Sequence, residues 1–407
     1  MRLKTLRSAC SRFGTILLAV IVITASLFFV SAGSARAANP PYTNWTEYPT
    51  NPVFDPTEKV YYPSILFDGT TYRLWYDDST TTRYATSTDG INWAPGTLTT
   101  GLKLNNARHA HVEKVDTKYM VWYWDPSVSI YSINAIRTAE STDGINWNLD
   151  SPITQVGSTV VTGTWPGWNT GTYGVCDVFY NASGSATIVA PVNAATVWQN
   201  KFVMYYDGTT GSYEDIGVAV SNDGKNWQGY NGGIAPVLTH GTSGAWDDVY
   251  TTFCTVLKIG GTYYMWYSGG KIASSEGIGY AQSSDGLVWT RDAGNPMMHY
   301  TDGVTWRSER TYTPMVIYDA AGFSGAGENA NFKMWYSGLA SGNYAMGYAR
   351  ITEPTATPTT VGGRVNPVNK TALLAPYLGA IAAAAGIIFI SRQVLKRFRF
   401  VRVNNRK

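Results

Sequence analysis

Cysteine is scarce in this chain: three in 407 residues, of which Cys10 falls in a leader-like segment and leaves Cys176 and Cys254. Two are too few for a disulfide framework or a zinc ribbon. Both suit small buried side chains, and both suit a pair joined in an oxidising exterior. Histidine is rarer than usual, with four residues, and charged residues make up 14% of the chain, against roughly 25% in an ordinary globular domain. Long polar helical stretches are missing, while Gly is frequent and aromatic residues abound, with 15 Trp and 28 Tyr. That balance favours strands and turns over helices. The middle of the chain also lacks basic excess. Of 31 Lys and Arg, five lie in the first 37 residues and seven in the last 16, whereas all 28 Asp and Glu lie between. The intervening stretch therefore carries a net charge near −9, and nothing in it suggests nucleic-acid binding.

The two ends read as targeting segments. Arg2, Lys4, Arg7 and Arg12 precede an apolar run from Phe13 to Val30, and Ala35-Arg36-Ala37 supplies small residues for a cleavage site. Residues 1–37 are thus expected to be a signal peptide, with an uncleaved anchor as the alternative. Residues 353–370 form a Pro/Thr/Gly-rich linker, and residues 371–391 are almost wholly apolar. As a helix that stretch would span about 30 Å, the thickness of a bilayer core. Seven Lys and Arg and no acid follow in residues 392–407. Basic residues stay on the cytoplasmic side, so the expectation is a single-pass cell-membrane protein with its folded domain outside.

Between the ends one unit repeats. Ser87-Thr88-Asp89-Gly90-Ile91-Asn92-Trp93 recurs as Ser141 to Trp147, Ser221 to Trp227 and Ser283 to Trp289. Asp-Gly marks a tight turn, because Gly tolerates φ > 0 and Asp bonds its own backbone. An aromatic run precedes each copy: Tyr72-Arg73-Leu74-Trp75-Tyr76, then Tyr119 to Tyr123, Phe202 to Tyr206, Tyr263 to Tyr267, and a fifth at Phe332 to Tyr336. Met346-Gly347-Tyr348-Ala349 matches Ile278-Gly279-Tyr280-Ala281. Each unit thus reads as an inner strand, an aromatic strand, a Gly-Tyr-Ala strand, the Asp-Gly turn and an outer strand. The expected fold is all-β: a five-bladed β-propeller of four-stranded antiparallel blades over residues 42–352. The alternatives are a sixth, hidden blade, for which no aromatic strand is visible, and a β-sandwich, which needs no repeat.

These units resemble the five-bladed glycosidase superfamily: arabinanases and xylosidases of family 43, with the invertases and levansucrases of family 32 as relatives. The resemblance covers about Asn51 to Arg350 and rests on the Asp-Gly-x-x-Trp hairpins. It also rests on Asn51-Pro52-Val53-Phe54 followed by Tyr62-Pro63-Ser64-Ile65-Leu66-Phe67-Asp68-Gly69. It implies a glycoside hydrolase or related glycan-processing enzyme acting on a poly- or oligosaccharide, with no cofactor and no metal. Such chemistry needs two carboxyl groups flanking the bond, one to protonate the leaving oxygen and one as base or nucleophile. The chain departs from the family where family 43 carries Asp before the first-blade Pro, because Tyr62 stands there; Phe253 and Thr313 hold the same place in later blades.

Acids at other blade entrances are the remaining candidates: Asp177, Asp248 and Glu309 as catalytic groups. Tyr62, Arg108, His109, His111, Trp246 and Arg310 are the candidate substrate contacts. Each has a plainer reading. Asp177 fits a strand cap, Asp247-Asp248 a solvated loop pair, and Glu309-Arg310 a surface ion pair. His109 and His111 share one face of a regular strand, but no third metal ligand clusters with them. A non-catalytic propeller that binds glycan or protein at the cell surface is the competing reading of the whole chain.

Overall fold

The computed structural model of the protein describes residues 42–96, 107–125, 136–148, 171–271, 276–323 and 327–352. Contacts divide the chain into two compact units, Met1–Glu353 and Pro354–Lys407. The segments read as signal, linker, apolar span and basic tail lie outside the described residues, as do Trp165 and Trp168. Among the described residues no helix is long and apolar enough to cross a membrane.

The five aromatic runs form five central strands: Tyr72–Asp77, Lys118–Trp124, Phe202–Thr209, Thr262–Gly270 and Phe332–Ala340. Each pairs antiparallel with an inner strand on one side: Tyr61–Phe67, Arg108–Val115, Gly171–Tyr180, Tyr250–Ile259 and Arg310–Tyr318. On the other side lies a third strand: Thr82–Ser87, Ile136–Ser141, Glu214–Ser221, Gly277–Ser283 and Asn343–Ile351. Four blades end in a short outer strand after the Asp-Gly turn. The fifth takes its outer strand, Thr46–Glu47, from the beginning of the fold, so the first and last segments close one sheet. Inner strands touch in cyclic order, the fifth returning to the first. The described residues thus form a ring of five antiparallel blades, the third and fourth joined into one sheet by a parallel pair, Glu214 with Tyr250, the arrangement of a five-bladed β-propeller.

The repeated turn explains how the sheets hold one another. Ser87 Oγ accepts the amides of Asp89 and Gly90, and Asp89 Oδ1 accepts those of Ile91 and Asn92 at 2.8 and 2.7 Å. The same bonds recur at Asp143, Asp223 and Asp285. Gly90 sits at φ +76°, and a Cβ there would meet Trp335 Cζ2 at 2.7 Å. With its amides tied inward, the turn offers the glycine carbonyl to the neighbouring blade. Trp335 donates its indole N–H to Gly90 O at 2.7 Å, Trp75 to Gly144 O at 3.0 Å and Trp122 to Gly224 O at 2.7 Å. In the third blade Tyr205 replaces Trp and its hydroxyl donates to Gly286 O at 2.6 Å. The fifth blade has no such turn, and Trp266 donates to Tyr42 O at 3.2 Å. These side chains are fully buried.

Trp75→Phe leaves the Gly144 carbonyl without its indole donor. Losing a partner to a buried polar group costs roughly 1–3 kcal/mol. Trp122→Phe is expected to cost less, because Trp227 also donates to Gly224 O, at 3.1 Å. Urea unfolding of both variants measures this, and an unchanged midpoint for Trp75→Phe contradicts it.

Candidate active site

Every inner strand breaks register against its neighbour soon after it starts. In four of them the residue at the break has a left-handed backbone: Tyr62 at φ +52°, His109 at +50°, Phe253 at +43° and Thr313 at +50°. Such backbone costs free energy for these residue types and persists only when its surroundings enforce it. Here the preceding blade does so by accepting the exposed amide. Asp77 Oδ2 accepts from His109 N at 3.3 Å, Asp207 Oδ1 from Phe253 N at 2.8 Å and Ser268 Oγ from Thr313 N at 2.7 Å.

The bulged side chains fill the centre of the ring. Tyr62 lies over His109 with ring centroids 3.6 Å apart and meets Phe253 at 4.5 Å. Below them remains a cavity of about 40 Å³ lined by residues that include His111, Cys176, Cys254 and Met315. That holds a water or two, far short of the roughly 300 Å³ of a small-molecule site. The middle of the ring is therefore closed, and a ligand would meet the protein at the mouth. Inner strands begin there, central strands end there, and third strands begin there.

The mouth holds acids on two adjacent blades, Glu276 buried and Glu214 half-buried. Glu214 opens the third strand of blade three, and Glu276 stands just before the corresponding strand of blade four. Arg310 grips Glu276 with two prongs, Nε to Oε2 at 2.9 Å and Nη2 to Oε1 at 2.6 Å. Burial raises the Glu276 pKa, and the Arg310 guanidinium opposes it. Burial pushes Glu214 up to about 8, the charges of Asp207 and Glu276 adding to the effect. Asp207 is fully buried, which lifts it to about 6, and its Oδ2 has no hydrogen bond. Cys176 Sγ donates to its Oδ1 at 2.9 Å; Cys176 and Cys254 are both free, buried thiols.

No family model matches this sequence, and no curated protein matches it. Solved structures do match. The fold is similar to that of several solved glycoside hydrolases. One solved as a glycoside hydrolase superposes with a TM-score of 0.53 at 16% identity, over 74% of this chain and 90% of its own. A thermostable family-43 glycoside hydrolase gives 0.52 at 16%, over 76% and 97%. An endo-1,4-beta-xylanase from Bacteroides thetaiotaomicron gives 0.50 at 14%, over 74% and 96%. At such identities the likeness is one of fold.

On this fold the residues singled out from sequence separate into three groups. Tyr62, Arg108, His109 and Arg310 reach the mouth. Arg108 is anchored there by Asp77 at 2.9 Å and by the Tyr61 hydroxyl at 2.7 Å. His111 and Asp177 come further along their inner strands, inward of the aromatic plug. Their nearest nitrogen and oxygen are 3.5 Å apart. Asp177 Oδ2 accepts Val256 N at 2.7 Å from the next blade, as Ser64 Oγ accepts Val112 N at 2.9 Å. Asp177 lies inside its strand, so its carboxylate joins two blades and does not cap a strand end. Asp248 accepts the Gly244 amide at 2.8 Å, and exposed Glu309 accepts the Ser341 amide at 2.6 Å. The three expected catalytic acids therefore do not assemble. Trp246 lies on the glycines of its own blade, 2.5 Å from a Cβ position at Gly269 and 2.7 Å at Gly279. It packs there because only glycine leaves room for the indole. The bulge at His109 also sends the two histidines to different partners. Among the described residues no group of three or more His, Cys, Asp or Glu is arranged to hold a metal ion.

Asp207, Glu214 and Glu276 escaped the sequence reading, although a signal existed. Glu214-Asp215-Ile216-Gly217-Val218-Ala219 and Glu276-Gly277-Ile278-Gly279-Tyr280-Ala281 place Glu at the same point of adjacent repeats.

The buried acids predict how stability depends on pH. Burial lifts Asp177 to about 7 and Glu113 to about 8, with Glu214 at about 8. Each folded pKa lies above its unfolded value, so the folded state keeps protons that the unfolded state has released. The stability these groups contribute is present at low pH and lost as pH rises through their folded values. His111, lowered to about 4 by burial, acts in the opposite sense but only below about pH 6.5. The urea midpoint is expected to fall between about pH 6.5 and 8.5, and less steeply in Asp177→Asn. A midpoint that rises over that interval contradicts the assignment.

Proposed function

We propose that this protein cleaves glycosidic bonds of a poly- or oligosaccharide at the propeller mouth, with Glu214 as general acid and Glu276 as base or nucleophile. The observation that carries the reading is the electrostatic separation of two acids on adjacent blades. Glu214 keeps its proton to about pH 8, while Glu276 is paired through both oxygens with Arg310. Glycoside cleavage needs this division of labour, one carboxylic acid and one carboxylate. In the proposed step Glu214 gives its proton to the departing glycosidic oxygen as the bond to the anomeric carbon lengthens. Glu276 stabilises the growing positive charge there, either bonding to that carbon or taking a proton from attacking water. The buried charge of Asp207 beside Glu214 favours return of the proton. Tyr250, half-buried within reach of the charges of Glu214 and Glu276, offers a ring face to a sugar. The matched folds of glycoside hydrolases support this reading. We place the propeller on the outer side of the cell membrane, anchored by residues 371–391, on the leader-like start and the basic tail of the sequence.

One observation favours the competing reading of a propeller that binds glycan without cleaving it: the family acid before the first-blade Pro is Tyr62, and its ring helps plug the centre. Sugar release from arabinan, fructan, xylan and mannan separates the two. Release is expected from at least one, lowered about 10²-fold or more in Glu214→Gln, with wild-type rates declining above about pH 8. Binding without release, unaffected by Glu214→Gln and Glu276→Gln, selects the second reading.

A further inference from the structure

We infer that Tyr213 and His240 form a sugar-stacking subsite on the rim beside Glu214, an inference that rests on the glycan reading above. Tyr213 is 43% exposed, unusual for a large aromatic side chain in this fold. Its ring stacks on that of His240, with centroids 4.1 Å apart and planes 7° from parallel. His240 lies on the connection between the third and fourth blades, so the two rings bridge two parts of the chain.

The pair is built to hold still. Asp215, whose side chain is 7% exposed, accepts the His240 ring nitrogen Nδ1 at 2.8 Å and the His240 amide at 2.5 Å through the same Oδ1. Accepting from Nδ1–H leaves the lone pair on Nε2, an acceptor for a hydroxyl group. The turn that carries Tyr213 is locked too: Thr210 N donates to Tyr213 O at 3.0 Å, and Thr210 Oγ1 accepts from Tyr213 N at 3.2 Å. A rigid exposed ring loses little conformational freedom when a ligand lands on it.

Position gives the platform its meaning. Tyr213, Glu214 and Asp215 are consecutive, and a strand advances about 3.3 Å per residue while alternating faces. Glu214 opens the strand at the acid cluster, and Tyr213 ends the turn immediately before it, stacked on the His240 ring that Asp215 holds. A glycan whose scissile bond lies at Glu214 then carries a neighbouring sugar over the free face of Tyr213. The C–H groups of a pyranose or furanose face meet the negative face of the ring, and a ring hydroxyl reaches His240 Nε2. The ligand class is a chain of several sugars, because a sugar confined to the acid cluster leaves the platform uncovered.

The test measures binding, with Glu214→Gln as the parent so that no ligand is consumed. Xylan, arabinan, levan and mannan, with the two- to six-residue oligosaccharides of each, are titrated by calorimetry. Tyr213→Ala is expected to weaken binding of the six-residue ligand about ten-fold, Tyr213→Phe to retain parent affinity, and His240→Ala to weaken binding by less than Tyr213→Ala. Urea midpoints of the exposed-site variants confirm folding. If the parent and wild type bind none of the four glycans, the glycan reading fails and takes this inference with it. If the parent binds and Tyr213→Ala binds equally well, the platform alone is wrong.

Discussion

The bond from an indole N–H to a glycine carbonyl one blade away is what the rest of this structure depends on. A four-stranded sheet cannot bury its own faces, so blades are stable only against each other. Apolar packing alone sets no register between them. The Asp-Gly turn supplies it: the aspartate consumes the turn's amides, leaving one carbonyl aimed outward at a buried site. An unpaired carbonyl there would be costly, and only a donor at one depth satisfies it. Trp75, Trp122 and Trp335 meet that requirement, and Tyr205 meets it with a hydroxyl. Where the turn is missing, Tyr42 supplies the carbonyl from outside the repeat.

Fixed blade spacing then determines the centre. The inner strands must bulge to turn around a narrow axis, and three of the bulges free an amide that the preceding blade accepts, with Asp77, Asp207 or Ser268. Two of these acceptors are acids, and burial lifts both, each to about 6. The same bulges turn Tyr62, His109 and Phe253 into the axis, which closes it. The proposed chemistry therefore belongs at the rim and not on the axis.

The blades were legible because their signals are local: a turn needs Asp-Gly, and a strand buried on both faces needs an aromatic run. The closing strand at Thr46–Glu47 was not, since it pairs with residues about 300 positions away and carries no local mark. Tyr62 was marked by its place before the first-blade Pro and Arg310 by its place beside Glu309 at a blade entrance. Asp177 misled as a candidate acid. Its amide acceptor role is shared with Ser64 and Thr255, residues of different chemistry that do the same work. Glu309 misled because it lies in the exposed bend just before the strand, where it accepts the Ser341 amide. Function depended on which acids converge across blades, which no single repeat encodes.

The convergence itself constrains protonation. Asp207, Glu214 and Glu276 couple electrostatically, and one guanidinium, Arg310, lies among them. Three anions against one cation in a buried site would be strongly repulsive, and the group with the weakest local support takes the proton. Arg310 supports Glu276 directly, and the Phe253 amide and the Cys176 thiol support Asp207. Glu214 has no such donor of comparable strength, so the proton falls to it. The acid is thus selected by what its neighbours receive, and any change that strips support from Asp207 or Glu276 would draw the proton away from Glu214.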